Sequence, residues 1–275
     1  MARKASAFVT ASLFAATLMS ALLSAQAPPA SQSPSSPSIQ EEHPGKPIEA
    51  NGSDKPAPSG TSKDRLFYAL PNFLSLENTG KVPPLSTKQK FGVVVRGSFD
   101  YIEYPWFGFL AALNQADDAE PAYGQGWGGY GKRYLTSFAD GTIENFFTSA
   151  ILPSLLHQDP RFYHSGKGGF WHKTGYGVSR IFLTRGDSGD TQFNYSEIFG
   201  SALSATISTY GYHPRSTILS SPSGPRYIPS DRTLKNTADV WGTQLAFDTI
   251  TIVVREFWPD IHRKLSHKSN ADAAH

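Results

Sequence analysis

Between positions 86 and 256 the hydrophobic residues recur mostly at steps of three or four, the spacing of one helical face. The clearest stretch is Lys132 to Leu156, where Leu135, Phe138, Thr142, Phe146, Ala150 and Ile151 form one stripe. Pro153 permits a kink there, and Gln158-Asp159-Pro160 ends the element. Ser86 to Gln89 supplies cap residues for Phe91 to Leu113, which predicts a helix broken at Pro105. Phe170 to Leu183 and Tyr195 to Tyr210 predict two more, the second with small residues from Gly200 to Ala205 for close helix contact. Ser230-Asp231 caps a long helix from Arg232 to Glu256 that ends near Pro259. Leu66 to Leu74 reads as a short helical or interfacial segment cut by Pro71, and His213 to Pro229, with four prolines, reads as a loop. The β-branched runs Val93-Val94-Val95 and Thr249 to Val254 admit strands, because short apolar runs do not resolve by period alone. The sum predicts an all-α domain, an irregular bundle of about five helices with Gly/Pro-rich loops.

The chain ahead of this domain has a different pattern. Arg3 and Lys4 precede an apolar run from Ala5 to Leu23, and Ala25-Gln26-Ala27 fits a small-x-small cleavage site, so residues 1–27 predict a secretory signal. The alternative is an uncleaved anchor, which the hydroxyls of Ser6, Thr10, Ser12, Thr17 and Ser20 weaken. Residues 28–62 hold eight prolines and no aromatic residue, a composition that cannot offset the entropy of ordering and predicts a disordered linker. Residues 63–268 then form a single domain and 269–275 a disordered tail.

Composition narrows the function classes. A net charge of +2 from nearly balanced acids and bases gives no basic field for nucleic acid. Charged residues are 17% against 13% aromatic, which predicts a sparsely charged surface. With no Cys there are no disulfides, thiol nucleophiles, thiolate zinc sites or lipid-modified cysteine.

Several motifs carry candidate chemistry. Gly186-Asp187-Ser188-Gly189 matches the residues around a serine-protease nucleophile, but its helical context and Asp190 favour a capped turn. Gly124 to Gly129 fits GxGxxG and Gly126 to Lys132 fits GxxxxGK; no strand precedes the first, and Arg133 stands where a P-loop needs Ser or Thr, so no nucleotide is expected. Free N–H groups at Gly128 and Gly129, with Lys132 and Arg133, make an anion-binding candidate. His157, Asp159, His164 and His172 are metal-capable but fit no closed ligand spacing, so neither metal nor other cofactor is expected, and His157 is read as a helix C-cap. Asp140 and Glu144 lie one turn apart, as paired carboxylates for acid/base work do, although a solvated or Arg-paired face is the commoner outcome. Arg180, Arg185, Glu197, Asp239, Asp248 and Arg255 place about one charge on each otherwise apolar helix, a pattern of interhelical ion pairs or of a buried polar cleft.

The pieces HQDPRFYHSGKGGFW from His157, SRIFLTRGDSG from Ser179, FNYSEIFGSALSATIS from Phe193, RTLKNTADVWGTQ from Arg232 and REFWPDI from Arg255 resemble an exported family of unknown function from acidobacterial soil bacteria. The resemblance covers most of 63–265 and implies a bacterial envelope address without any activity to transfer. The expectation is therefore an exported protein of the periplasm or cell envelope. Its domain is read as a noncatalytic binding or scaffold module for a protein, lipid or glycan partner, with peripheral membrane contact. The alternative is a hydrolase or lyase acting on envelope lipids or glycans, with His157, Asp159, Asp140, Glu144 and Arg185 as its catalytic candidates. Unpaired carboxylates gathered in one pocket would favour the alternative.

Overall fold

The computed structural model describes residues 65–66, 70–71, 75–76, 83–220 and 224–272, with no account of the side chains of 65–76, 262 and 264–272. The signal and linker read from residues 1–62 lie outside it. Among the described residues the chain is mostly helical, with six helices of at least 12 residues and several small two- and three-stranded sheets, so it is not purely all-α.

Leu66 to Leu74 holds extended pairs rather than a helix: β1 (Arg65–Leu66) pairs antiparallel with β2 (Leu70–Pro71), and β3 (Ser75–Leu76) follows. α1 (Thr87–Ser98) starts at a capping box, in which Ser86 Oγ accepts from the Gln89 amide and Gln89 Oε1 accepts from the Ser86 amide at 2.8 Å. Its inner face is Lys90, Val93, Val94 and Ser98, so the valine run is helical. The break expected at Pro105 comes earlier, at residues 99–102; Pro105 sits in the first turn of α2 (Glu103–Ala116), where its missing N–H costs nothing.

The helix predicted from Lys132 begins earlier, inside the glycine-rich stretch, as α3 (Gly126–Phe146). Arg133, 1% exposed, reaches back from α3 and gathers the preceding loop. It donates to the carbonyls of Ala119 (2.6 and 2.9 Å), Gly124 (2.7 Å) and Glu120 (3.3 Å) and to Gln115 Oε1 (3.0 Å). Asp118 and Glu120 take left-handed φ values of 50° and 44°, which this clamp holds in place. α3 widens into a π turn (Phe147–Ile151), then closes as α4 (Leu152–Leu155) around Pro153. His157 stands in the left-handed position just past that end, at φ 51°.

β4 (Gln158–Asp159), β6 (Leu183–Gly186) and β7 (Thr191–Phe193) form an antiparallel sheet, and β5 (Phe162–Tyr163) pairs parallel with β3. α5 (Phe170–Phe182) runs into β6, and α6 (Tyr195–Gly211) follows β7. The loop expected after His213 carries a hairpin, β8 (Thr217–Leu219) with β9 (Arg226–Ile228). α7 (Leu234–Asp272) continues through Pro259, so the expected end near that proline does not occur and the backbone of 269–272 is helical.

Close backbone approach sets the helix contacts. A Cβ on Gly200 of α6 would lie 3.1 Å from the Phe147 backbone in the π turn, and one on Gly177 of α5 would lie 3.2 Å from the Val253 backbone on α7. The resulting interior is unusually polar. α6 buries Ser196, Ser201, Ser204, Ser208 and Thr209 while Tyr195, Phe199, Leu203 and Tyr210 face outward. No helix among the described residues is long and apolar enough to cross a membrane.

Candidate functional site

The sheet β4–β6–β7 sits beside a knot of matched charges. Lys90, 2% exposed, donates from Nζ to the carbonyls of Pro153 (3.1 Å) and Gln158 (2.8 Å) and to both oxygens of Asp187 (3.0 Å). Asp187 is therefore the partner of a buried lysine, beyond the local turn expected of it, and neighbouring Ser188 is exposed. Asp159 accepts from Arg161 Nε (2.8 Å) and Nη2 (2.6 Å), from the Arg161 amide (3.0 Å) and from Tyr163 Oη (2.8 Å). Both of its oxygens are in use. Burial and this carboxylate raise the Tyr163 phenol, which keeps it the donor.

Next to the knot opens a cleft of about 150 Å³. Asn145, Thr148 and Ser149 enter it from the end of α3 and the π turn. Asp159, Arg161 and Tyr163 enter from the β4–β5 segment, Arg180, Thr184 and Arg185 from the α5–β6 junction, and Glu197, Asp248 and Arg255 from α6 and α7. Arg185 lies 4.1 Å over the Tyr163 ring and Arg180 4.8 Å over the Tyr176 ring. The Tyr176 hydroxyl is tied to the Tyr163 carbonyl at 2.6 Å, so the two aromatic supports are joined. Among the described residues the Arg180 guanidinium has one hydrogen bond, to Ser179 Oγ at 3.4 Å, and neither arginine pairs with a carboxylate.

The same cleft holds an acidic cluster, of which Glu197 and Asp248 are lining residues. Burial, then the neighbouring Asp248 carboxyl, raises the Glu197 carboxyl well above its ordinary value. Burial lifts Asp248 to about 6, opposed by its hydrogen bond with Glu197 and by Arg255. Glu144 is pushed up to about 10 by burial and by Asp248, Glu197 and Asp140. Burial lowers Arg255 against the pull of Asp248, Glu197 and Glu103, and Glu103 itself rises to about 7 through burial and Asp100. Glu144 Oε1, Glu197 Oε1, Asp248 Oδ2 and Arg255 Nε are buried without a hydrogen-bond partner among the described residues.

The five catalytic candidates do not assemble. Asp159 and Arg185 line the cleft, and Glu144 stands in the acidic cluster behind it. Asp140 is half-buried one turn away, its carboxyl raised by burial and accepting a hydrogen bond from Tyr212. The His157 side chain is 84% exposed and meets Asp187 at 3.9 Å. The solvated or Arg-paired face expected for Asp140 and Glu144 is thus corrected to an interior one, because α6 and α7 cover it with polar residues. His164 is buried 3.7 Å from Glu256, and His172 is exposed. No group of three metal-capable side chains forms among the described residues.

The anion candidate at the start of α3 is also taken apart. Arg133 has spent its donors on the preceding loop, a Cβ on Gly129 would fall 2.3 Å from the Gly124 carbonyl oxygen, and Gly128 and Lys132 are exposed. Among the described residues Arg180, Arg185, Glu197, Asp239, Asp248 and Arg255 form no interhelical ion pair: Asp239 pairs with Lys235 on its own helix at 2.8 Å, Arg180 and Arg185 stack on tyrosines, and Arg255 feels Asp248 of its own helix and Glu197 of α6 only as nearby charges. Sequence reasoning missed Tyr163 and Tyr176, whose only signal was their placement near the two arginines.

No known protein family, curated protein or solved structure matches the chain. The resemblance to an exported acidobacterial family rests on the sequence pieces that carry it.

Proposed function

We propose that this is an exported envelope protein whose domain is a binding module for the anionic group, phosphate or carboxylate, of an envelope lipid or glycan held in the cleft. The observation that carries the reading is the pair Arg180 and Arg185. Both line one cleft, both are braced on tyrosines, and neither has a carboxylate partner among the described residues. Guanidinium groups left without an anion in a preformed recess are suited to bidentate phosphate or carboxylate recognition. The stacking fixes their planes and so lowers the entropy lost on binding. Calorimetric titration with glycerol phosphate tests this. The Arg180→Ala/Arg185→Ala protein is expected to bind about tenfold or more weakly, and undiminished binding would remove the basis of the reading.

A second reading, a hydrolase or lyase on the same class of ligand, is favoured by one observation: Glu197 and Asp248 both line the cleft, each with a buried oxygen that lacks a hydrogen-bond partner among the described residues. A carboxyl raised by burial, as Glu197 is, is suited to protonating a leaving oxygen. Release of nitrophenol from bis(4-nitrophenyl) phosphate, lost in Glu197→Gln, would support it. No release above buffer leaves binding as the function, which is the reading preferred because His157 points away and Asp159 is fully occupied.

A further inference from the structure

The cleft is small, and through Leu183 it adjoins an exposed apolar surface; together these bear on the rest of the ligand. At about 150 Å³ it is below the roughly 300 Å³ at which pockets for whole drug-sized ligands begin. It takes a head group and leaves the remainder of the molecule outside. Leu183 lies on the cleft wall and is also exposed, and it is paired across the sheet with Phe193. From there an aromatic run continues outward: the Phe193 and Tyr195 rings are 5.0 Å apart, and Tyr195 stacks on Phe199 at 6.2 Å and 5°. Asn194, between Phe193 and Tyr195, faces the other way, into the cleft, and donates to the Arg180 carbonyl at 3.1 Å. The β7–α6 junction therefore presents polar groups inward and rings outward. Phe182, Leu183, Phe193, Tyr195 and Phe199 are each at least 37% exposed.

We propose that this apolar surface faces lipid and that the ligand is an anionic phospholipid, its phosphate between Arg180 and Arg185 and its acyl chains against Leu183, Phe193, Tyr195 and Phe199. The inference rests on the anion-binding reading of the cleft and adds the amphiphile. The continuity of unpaired cationic and exposed apolar surface is its ground: a sugar acid or free phosphate matches the arginines and leaves the rings without a partner, whereas a phospholipid in a bilayer matches both.

The test is flotation of the full chain with phosphatidylcholine vesicles, with and without phosphatidylglycerol, beside calorimetry with glycerol phosphate. The readout is the binding gained when phosphatidylglycerol is present, since any contribution of the apolar N-terminal residues is common to all variants. Arg180→Ala/Arg185→Ala is expected to lose about tenfold of that gain and to lose glycerol phosphate binding as well. Phe193→Ser/Phe199→Ser, at exposed positions, is expected to lose the vesicle gain while still binding glycerol phosphate, which also reports that it is folded. Arg226→Ala, an exposed cation on β9, is expected to change neither. Glycerol phosphate binding without any phosphatidylglycerol-dependent gain would overturn the lipid inference and leave the anion reading standing; failure of both would overturn both. Equal losses in Arg226→Ala would show charge attraction without a site and would overturn the inference too.

Discussion

Lys90 and Arg185 are both cations brought to the same short sheet, and they end in opposite states. Lys90 is sealed inside, with two carbonyls and both oxygens of Asp187 around its ammonium. Arg185, on β6, lies over the Tyr163 ring and forms no ion pair among the described residues, although Asp159 is its partner across the sheet. That acid is already consumed by Arg161 and Tyr163. Desolvating a charge costs several kcal/mol, and at Lys90 the fold matches that cost with a full set of acceptors. A cation that the fold braces but does not match is available to something else. The difference separates a charge that the fold consumes from one that it leaves unmatched, although Asp187, the partner of Lys90, is only two residues from Arg185.

The largest effect that tests this contrast belongs to the sealed side. Lys90→Met leaves Asp187 and two carbonyls unpaired, and urea denaturation is expected to show a loss of about 3–5 kcal/mol. Arg133→Leu is next: it strips the carbonyls of Ala119, Glu120 and Gly124 of their shared donor, with an expected loss of about 3 kcal/mol in the same assay.

The acidic cluster gives a pH signature of intermediate size. Glu144 titrates near 4.5 unfolded and about 10 folded, so between those values the folded state holds a proton that the unfolded state has released, and stability falls as pH rises. His164, lowered to about 4 chiefly by burial, acts in the opposite sense but only below its unfolded value of 6.5. Above pH 6.5 the acids are therefore unopposed by it. The melting temperature is expected to fall from pH 6.5 towards 10, and Glu144→Gln is expected to flatten that fall. An unchanged slope would show that Glu144 ionises freely. The smallest effect belongs to the open side: Arg180→Ala/Arg185→Ala removes two stacking contacts and is expected to cost at most about 1–2 kcal/mol of stability in urea.

The helices were legible because large residues repeat at helical steps, and α5 and α6 appear within a residue or two of their expected ends. What the pattern could not reveal was direction. On α6 the rule that large apolar residues face inward fails, since serines and Thr209 line the interior and Tyr195, Phe199 and Leu203 face out. The small strands were illegible because two or three residues carry no usable alternation, and Pro259 was misread as an end because α7 runs through it. The site was legible in part. Arg185 and Asp159 were both named and both reach the cleft, yet their roles depend on which neighbour claims which charge. Arg161 claims Asp159 and Lys90 claims Asp187, the latter across 97 positions of chain. Such pairing over distance leaves no local mark in the sequence.

The most direct test of the unmatched-cation account is glycerol phosphate affinity measured by calorimetry on the wild-type chain, Arg180→Ala/Arg185→Ala and the exposed-site control Arg226→Ala. The account predicts binding by the wild type, about tenfold or more weakening in the double variant and no change in the control. Absence of wild-type binding, or equal affinity in all three proteins, would contradict it.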